Sequence, residues 1–329
     1  MRVFGKIFRQ KGEQTTLPTM DFKACDTGIQ SISVDDEYIY TLGKGIIEKW
    51  RKRDGELVST FGEFDNNSLL IDEKYVLSSY YEKSFGIGRK HENIRVWDKE
   101  GHLIQTLDAP SPSLGRTFRD IYEIGFVSIN ANYIYGLYRL DFQKEQSGSR
   151  TGHIVITVWD REGNLVNYLQ DSLCPDSYFA MDERYIYALS RLDALAVKGL
   201  YIYDKSNPLN IRRIKRIKDI KSHNILVDDR NVYLYKRRHI QVLDKSAWRT
   251  IWERKNKMTD EISKVYVDDN YLYVLHYGLR HSQLDISNKT KDSIEKTIYG
   301  DNTINCVVTD DENIYAGLSN GMVNVWRWS

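Results

Sequence analysis

The residues in this chain that could do chemistry are dispersed. Seven histidines, His91, His102, His153, His223, His239, His276 and His281, show no His-x-His or His-Glu-x-x-His spacing, so no helical zinc motif is written here. Cys25, Cys174 and Cys306 stand far apart. That spacing argues against a disulfide framework or a zinc knuckle and fits a reduced, cytoplasmic setting. There is no Gly-x-Ser-x-Gly elbow, and Gly86-Ile87-Gly88 is a lone glycine pair with no helix behind it to cradle phosphate. The expectation is a protein without catalytic residues, metal or cofactor.

Charge is more informative than nucleophiles. The whole chain balances 47 Lys and Arg against 46 Asp and Glu, which by itself gives no reason to expect nucleic acid or membrane. Residues 205–257 nevertheless hold 16 basic and 5 acidic residues, a local excess of 11 positive charges. Three clusters make it up: Arg212 to Lys218, Lys236-Arg237-Arg238, and Arg254-Lys255-Asn256-Lys257. Such a sector would attract phosphates or an acidic polypeptide. Elsewhere, acidic pairs recur at regular distances, as in Asp35-Asp36, Asp228-Asp229 and Asp268-Asp269.

Those acidic pairs belong to a repeat. Each follows an apolar strand and precedes an aromatic-aliphatic-aromatic one, as in Val34-Asp35-Asp36-Glu37-Tyr38-Ile39-Tyr40, Met181-Asp182-Glu183-Arg184-Tyr185-Ile186-Tyr187 and Val267-Asp268-Asp269-Asn270-Tyr271-Leu272-Tyr273. Seven copies occur, anchored at Tyr38, Tyr75, Tyr133, Tyr185, Asn231, Tyr271 and Asn313. Downstream of each lies an alternating strand ending in a bulky residue, such as Ile94-Arg95-Val96-Trp97-Asp98 and Ile156-Thr157-Val158-Trp159-Asp160. A glycine turn into a fourth strand follows at Gly101 and Gly163. Four strands every 40 to 50 residues predict an all-β protein, one domain over residues 1–329 folded as a seven-bladed β-propeller. The last repeat stops after its third strand, so residues 3–8 (Val-Phe-Gly-Lys-Ile-Phe) are expected to supply the missing fourth. The aromatic strand residues are expected in the blade packing.

The Val-Trp-Asp endings at Val96-Trp97-Asp98 and Val158-Trp159-Asp160, the period and the terminal strand exchange resemble the WD40-repeat superfamily or its quinoprotein-like relatives. The resemblance covers nearly the whole chain. It departs where WD40 repeats carry a Gly-His pair before the first strand, which is missing here. The buried Asp-His-Ser/Thr-Trp network is therefore expected to be missing too. Because propellers of this kind host both scaffolds and enzymes, the resemblance by itself does not decide function.

In an up-and-down meander the second-to-third and inter-blade connections share one end, called the top, and the remaining turns share the bottom. The long insertions, residues 78–93, 136–153, 188–199 and 108–125, all fall at the top, where loops on a rigid frame usually carry binding groups. His91, His153 and His239 also lie near top loop ends. The seven bottom turns carry 14 acidic and 3 basic residues, predicting an acidic bottom built of turn formers. The expected function is a non-catalytic, monomeric scaffold that holds a protein or peptide partner, preferably acidic, on its top face. Binding residues would be Tyr81, Phe85, Arg89 and Lys90 in the second blade, with Tyr80 as a further anchor, and Lys236, Arg237, Arg238, Lys255 and Lys257 in the basic sector. The alternative is direct binding of nucleic acid or anionic lipid by blades 4 to 6. No run is long enough to span a membrane, so an integral membrane protein is not expected.

Overall fold

The computed structural model describes residues 17–62, 66–83, 90–108, 118–144, 150–171, 177–190, 199–218, 220, 222–255, 261–277, 282–289, 293–300 and 302–328. Every repeat forms an antiparallel meander. Blade 1 is β2 (Ser31–Val34), β3 (Tyr38–Gly43), β4 (Ile46–Arg51) and β5 (Leu57–Phe61). Blade 2 is β6 (Asn66–Ile71), β7 (Tyr75–Lys83), β8 (Lys90–Asp98) and β9 (Leu103–Leu107), and blade 3 is β10 (Phe118–Ile129), β11 (Tyr133–Lys144), β12 (Arg150–Asp160) and β13 (Leu165–Asp171). Blade 4 is β14 (Ser177–Met181), β15 (Tyr185–Ser190), β16 (Gly199–Asp204) and β17 (Arg212–Ile217). Blade 5 is β18 (Asn224–Val227), β19 (Asn231–Lys236), β20 (His239–Asp244) and β21 (Arg249–Lys255). Blade 6 is β22 (Glu261–Val267), β23 (Tyr271–Tyr277), β24 (Ser282–Asn288) and β25 (Ser293–Gly300).

Blade 7 takes three strands from the C-terminal end, β26 (Ile304–Thr309), β27 (Asn313–Leu318) and β28 (Met322–Arg327). Its fourth comes from the N-terminal part of the chain, as the truncated last repeat requires. The strand that closes the ring is β1, Met20–Lys23, whose Met20 pairs with Val325 and Lys23 with Met322, and not residues 3–8. The latter lie outside the described residues. Closure tucks both ends of the ring into one sheet and removes a radial edge.

The core lies between blades. Among the described residues, buried apolar side chains gather in seven clusters, one at each junction: Tyr40, Leu42 and Ile47 of blade 1 meet Val76 and Trp97 of blade 2, and Ile29, Ile39 and Trp50 meet Tyr315, Val323 and Val325 across the closure. This explains why the second strand of each blade reads aromatic-aliphatic-aromatic. Both of its faces are covered by neighbouring blades, so alternation of polar and apolar residues is lost. The fourth strands carry a register shift opposite the third-strand aromatic or its equivalent, at Lys49/Trp50, Val96/Trp97, Val158/Trp159, Ile202/Tyr203, Val242/Leu243 and Ile286/Ser287, and such bulges increase the twist. Gly101 and Gly163 adopt φ of +93° and +86° in the turns that precede these strands, the left-handed conformation glycine tolerates.

The top insertions of blades 2 and 3 are largely strand, where loops were expected. Much of 78–93 continues β7 and β8, with Lys83 opposite Lys90. Likewise 136–153 continues β11 and β12, with Gln143 opposite Arg150, and 118–125 belongs to β10. The alternation of apolar and polar residues in Tyr138-Arg139-Leu140-Asp141-Phe142 is a strand pattern that accounts for this. A parallel bridge between Ile121 and Lys90 fuses the two extended blades into one eight-stranded sheet.

Candidate functional site

The bottom turns show what the acidic pairs do. The first acid of each pair folds its own turn: Asp182 Oδ1 accepts from the N–H groups of Arg184 (2.8 Å) and Tyr185 (2.6 Å), and Asp35, Asp72, Asp228, Asp268 and Asp310 repeat the pattern. The second carboxylate oxygen accepts from the tyrosine five residues on. Tyr40 donates to Asp35 (3.0 Å), Tyr187 to Asp182 (2.7 Å), Tyr233 to Asp228 (2.7 Å), Tyr315 to Asp310 (2.8 Å) and Tyr273 to Asp268.

A cation from the following blade completes each arrangement. Lys99 reaches Asp35 at 2.8 Å, Arg161 reaches Asp72 at 2.6 Å, Lys289 reaches Asp228 at 2.5 Å and Lys52 reaches Asp310 at 2.5 Å, while Lys245 pairs with Asp182. Four of these cations also rest near an aromatic ring of the preceding blade: Lys52 by Tyr315, Lys99 by Tyr40, Arg161 by Tyr75 and Lys245 at 5.3 Å from Tyr187. These ion pairs are latches that join blade to blade. Burial alone would disfavour the charged forms of Asp35, Asp182, Asp228 and Asp310. Hydrogen bonds from the latch lysines, the tyrosines and backbone amides outweigh it and hold all four carboxyls below their usual range. The same burial, with the carboxylate alongside, pushes the five tyrosines up.

Two junctions break the rule. Blade 3 has Asn130 where the others have Asp, and the latch lysine of blade 4, Lys205, is buried with its Nζ donating to the Glu183 carbonyl (2.6 Å) and lying 4.6 Å from the Tyr135 ring. Desolvation pushes the Lys205 ammonium down, opposed by Asp182 and Glu183. At the junction of blades 6 and 7, Trp328 stands in place of the cation and stacks on Tyr271, with ring centroids 4.9 Å apart. The bottom is thus less negative than its turn residues suggest, since the first carboxylate of five turns is paired with a cation within the fold. The polar clefts at this face, about 640 Å³ between blades 7 and 1 and about 600 Å³ between blades 1 and 2, are lined by latch residues such as Lys52, Asp310, Lys99 and Asp35.

The sequence signal for the latch was a basic residue one step past each third strand, at Lys52, Lys99, Arg161, Lys205, Lys245 and Lys289. It is periodic but silent until the acid and base are seen to lie in different blades. Two tryptophans make the Trp-to-Ser/Thr contact that WD40 repeats also carry: Trp50 Nε1 donates to Thr41 Oγ1 (3.1 Å) and Trp97 Nε1 to Ser78 Oγ (3.0 Å).

On the top face the predicted residues divide. Tyr81 lies in β7 opposite Glu92, and Lys90 begins β8 beside Ile121 of β10, so these two stand where blades 2 and 3 fuse, with Tyr80 next to them. Phe85, Arg89 and Lys257 lie outside the described residues. Lys236 ends β19 opposite His239, and Arg237 and Arg238 form the β19–β20 turn. Both arginines share one carboxylate, Glu261 of blade 6, at 3.2 and 3.3 Å, and Lys255 ends β21 opposite His239. His239 is 3.4 Å from Glu253. His91 and His153 are positions in β8 and β12, in blades 2 and 3 rather than beside His239 in blade 5. A buried pair lies in blade 6, where His276 Nε2 is 3.0 Å from Asp285, which also accepts from Gln283 and Thr297. Burial would raise the Asp285 carboxyl, and those three partners together hold it below its ordinary range. Cys25 and Cys306 carry free thiols, and burial pushes the Cys306 thiol up to about 12, a non-nucleophilic setting. Among the described residues no group of three His, Cys, Asp or Glu side chains is placed to hold a metal ion, and no helix is long and apolar enough to cross a membrane.

This geometry defines a seven-bladed β-propeller whose blades resemble WD40 repeats. No family model and no curated protein sequence matches the chain. Solved structures do. The chain is similar to the computationally designed Ika8 protein, with 11% identity and a TM-score of 0.61 over 95% of this chain and all of that one. It is similar to Sqt1 of Saccharomyces cerevisiae, with 11% identity and a TM-score of 0.59 over 96% of this chain and all of that one. BamB of Moraxella catarrhalis aligns at 14% identity and a TM-score of 0.55 over 91% of this chain and 85% of that one. At these identities the likeness is one of fold.

Proposed function

We propose that the protein is a non-catalytic, monomeric interaction scaffold that holds a protein or peptide partner on its top face. The observation that carries this reading is the extension of blades 2 and 3, where β7, β8, β10, β11 and β12 run past the ends of their neighbours and join through Ile121 and Lys90. Strand length beyond what the ring needs is backbone ordering without benefit to closure. A rigid projecting sheet of this kind suits a partner that needs a preformed surface. The latch residues that line the polar clefts of the opposite face are engaged in joining the blades, which supports the top as the working side. A cytoplasmic setting accords with the free thiols of Cys25 and Cys306.

The test is to replace residues 139–153 by a short turn, so that β11 and β12 end level with the other blades. Affinity purification from the native cells, compared with wild type, should then lose a stoichiometric partner while the melting temperature stays within a few degrees. Recovery of the same partners by both proteins would remove the proposal.

A further inference from the structure

We propose that the outer edge of blade 4, strand β17, is the docking edge for an extended acidic polypeptide segment, flanked by the outer strand of blade 5, β21. This surface is separate from the projecting sheet of blades 2 and 3, and goes beyond the top-face reading.

Among the described residues, the outermost strand of each blade has no strand paired on its outer side, so all share the same structural demand. Their compositions differ. β5 reads Leu-Val-Ser-Thr-Phe, β9 reads Leu-Ile-Gln-Thr-Leu, and β13 is uncharged until its final Asp171. β1 and β25 each balance one acid with one base and β21 includes Glu253, so a strand charged with cations alone sets β17 apart from the rest of the rim. β17 reads Arg-Arg-Ile-Lys-Arg-Ile, with its first five residues exposed.

The register distributes these cations. The shift at Ile202/Tyr203 leaves Ile214 as the extra residue. It places Arg213 and Arg216 opposite Tyr203 and Tyr201, and Arg212 and Lys215 opposite Asp204 and Ile202, two cations on each face. Arg213 and Arg216 lie 5.6 and 5.2 Å from the Tyr201 ring, and Lys215 lies 5.2 Å from Trp248 of blade 5. These contacts with ring faces hold the cations in place. Arg213 is further held by Asp171 at 3.3 Å. Among the described residues, Arg212 and Lys215 form no ion pair, and neither do Arg249 and Lys255 of β21.

Two features favour a polypeptide over a phosphate polymer or membrane. Ile214 and Ile251, 45% and 53% exposed, sit within the two strands among the cations, where they would meet apolar side chains. The open ladder of β17 also presents alternating N–H and C=O groups, which an added strand can pair and a phosphodiester chain cannot.

The test uses the full chain at low ionic strength with a fluorescein-labelled peptide of alternating Glu and Val, read by fluorescence anisotropy. Wild type should bind, and the double variant R212E/K215E should lose roughly tenfold or more in affinity with an unchanged melting temperature. The control R53E/K74E, on the bottom, should bind as wild type does. Hydrogen exchange at residues 212–217 should slow when the peptide is bound. The proposal is overturned if wild type does not bind the peptide, if the control loses as much as the rim variant, or if exchange along β17 is unchanged. Tighter binding of oligothymidylate or of phosphatidylserine vesicles than of the peptide would assign the edge to those ligands and overturn it equally.

Discussion

The bottom and top of this ring are made by the same seven hairpins, yet they obey different rules. At the bottom one arrangement of turn aspartate, tyrosine and cation recurs from blade to blade with nearly constant distances. At the top the strands of blades 2 and 3 lengthen and fuse, and the β19–β20 turn of blade 5 is basic. What is repeated serves the junctions, because every junction needs the same closure. What departs from repetition is free of that demand, and it marks the surfaces on which a partner can be recognised.

Acid should expose the dependence of the ring on its latches most strongly, since it acts on several at once. Asp35, Asp182, Asp228 and Asp310 have folded-state values below their unfolded ones. The folded protein therefore holds fewer of these protons than the unfolded chain, and the stability they supply is complete above the unfolded pKa. It is lost as pH falls through the folded values, below about pH 4. Asp285 adds in the same direction. Urea midpoints should be flat near neutrality and fall steeply in that acid window; a midpoint that is constant down to about pH 3 would show that the latches contribute nothing.

A single latch should also matter. Asp228→Ala removes the turn acceptor, the partner of Tyr233 and the partner of Lys289, whose side chain is 11% exposed. Leaving that ammonium inside without a carboxylate should cost about 3 kcal/mol, read as a lowered urea midpoint. A loss below about 1 kcal/mol would mean that water replaces the carboxylate readily.

Much of this was legible in the sequence and some was not, for physical reasons. Seven copies of the turn with its aromatic strand fix blade number and strand order because local hydrogen bonding and two-sided burial act within a few residues. The latches couple groups such as Lys289 and Asp228, 61 residues apart, and Lys52 and Asp310, 258 apart; their partnership exists only once neighbouring blades are assigned. The closing strand lies at Met20–Lys23, beyond residues 3–8: its Met-Asp-Phe-Lys alternation is the strand pattern that Val3 to Phe8 lacks, and its register is set against Met322 to Val325. The projecting sheet is hard to see in the sequence because the length of its insertions suggests loop, while the alternation inside them, as in Tyr138 to Phe142, is the only strand signal. Of the expected binding residues, Arg237 and Arg238 prove to be tied to Glu261, a pairing that no local pattern announces.

The junction between blades 3 and 4 offers a repair. Asn130→Asp would give Lys205 the carboxylate that its equivalents have, next to Tyr135 and within a turn that already uses the Asn130 Oδ1 as acceptor for Asn132 and Tyr133. The gain should be about 1 kcal/mol near neutral pH, seen as a higher urea midpoint that vanishes below about pH 4. No gain would show that the Lys205 contacts to the Glu183 carbonyl and the Tyr135 ring already satisfy this junction.

The smallest effect on stability belongs to the top, and there its smallness is the point. Arg237 is 79% and Arg238 44% exposed at the side chain, and both share Glu261. Exposed pairs of this kind contribute little, so R237E/R238E should shift unfolding by no more than about 0.5 kcal/mol. Recovery of an acidic partner in a pull-down should fall sharply and depend on added salt, because reversal places like charges where attraction steered the encounter. If the variant unfolds as easily as Asp228→Ala, the top turn of blade 5 is part of the closure and the division between the two faces fails. If it is stable and still captures every partner at any salt, the division stands but the arginines are not where the partner binds.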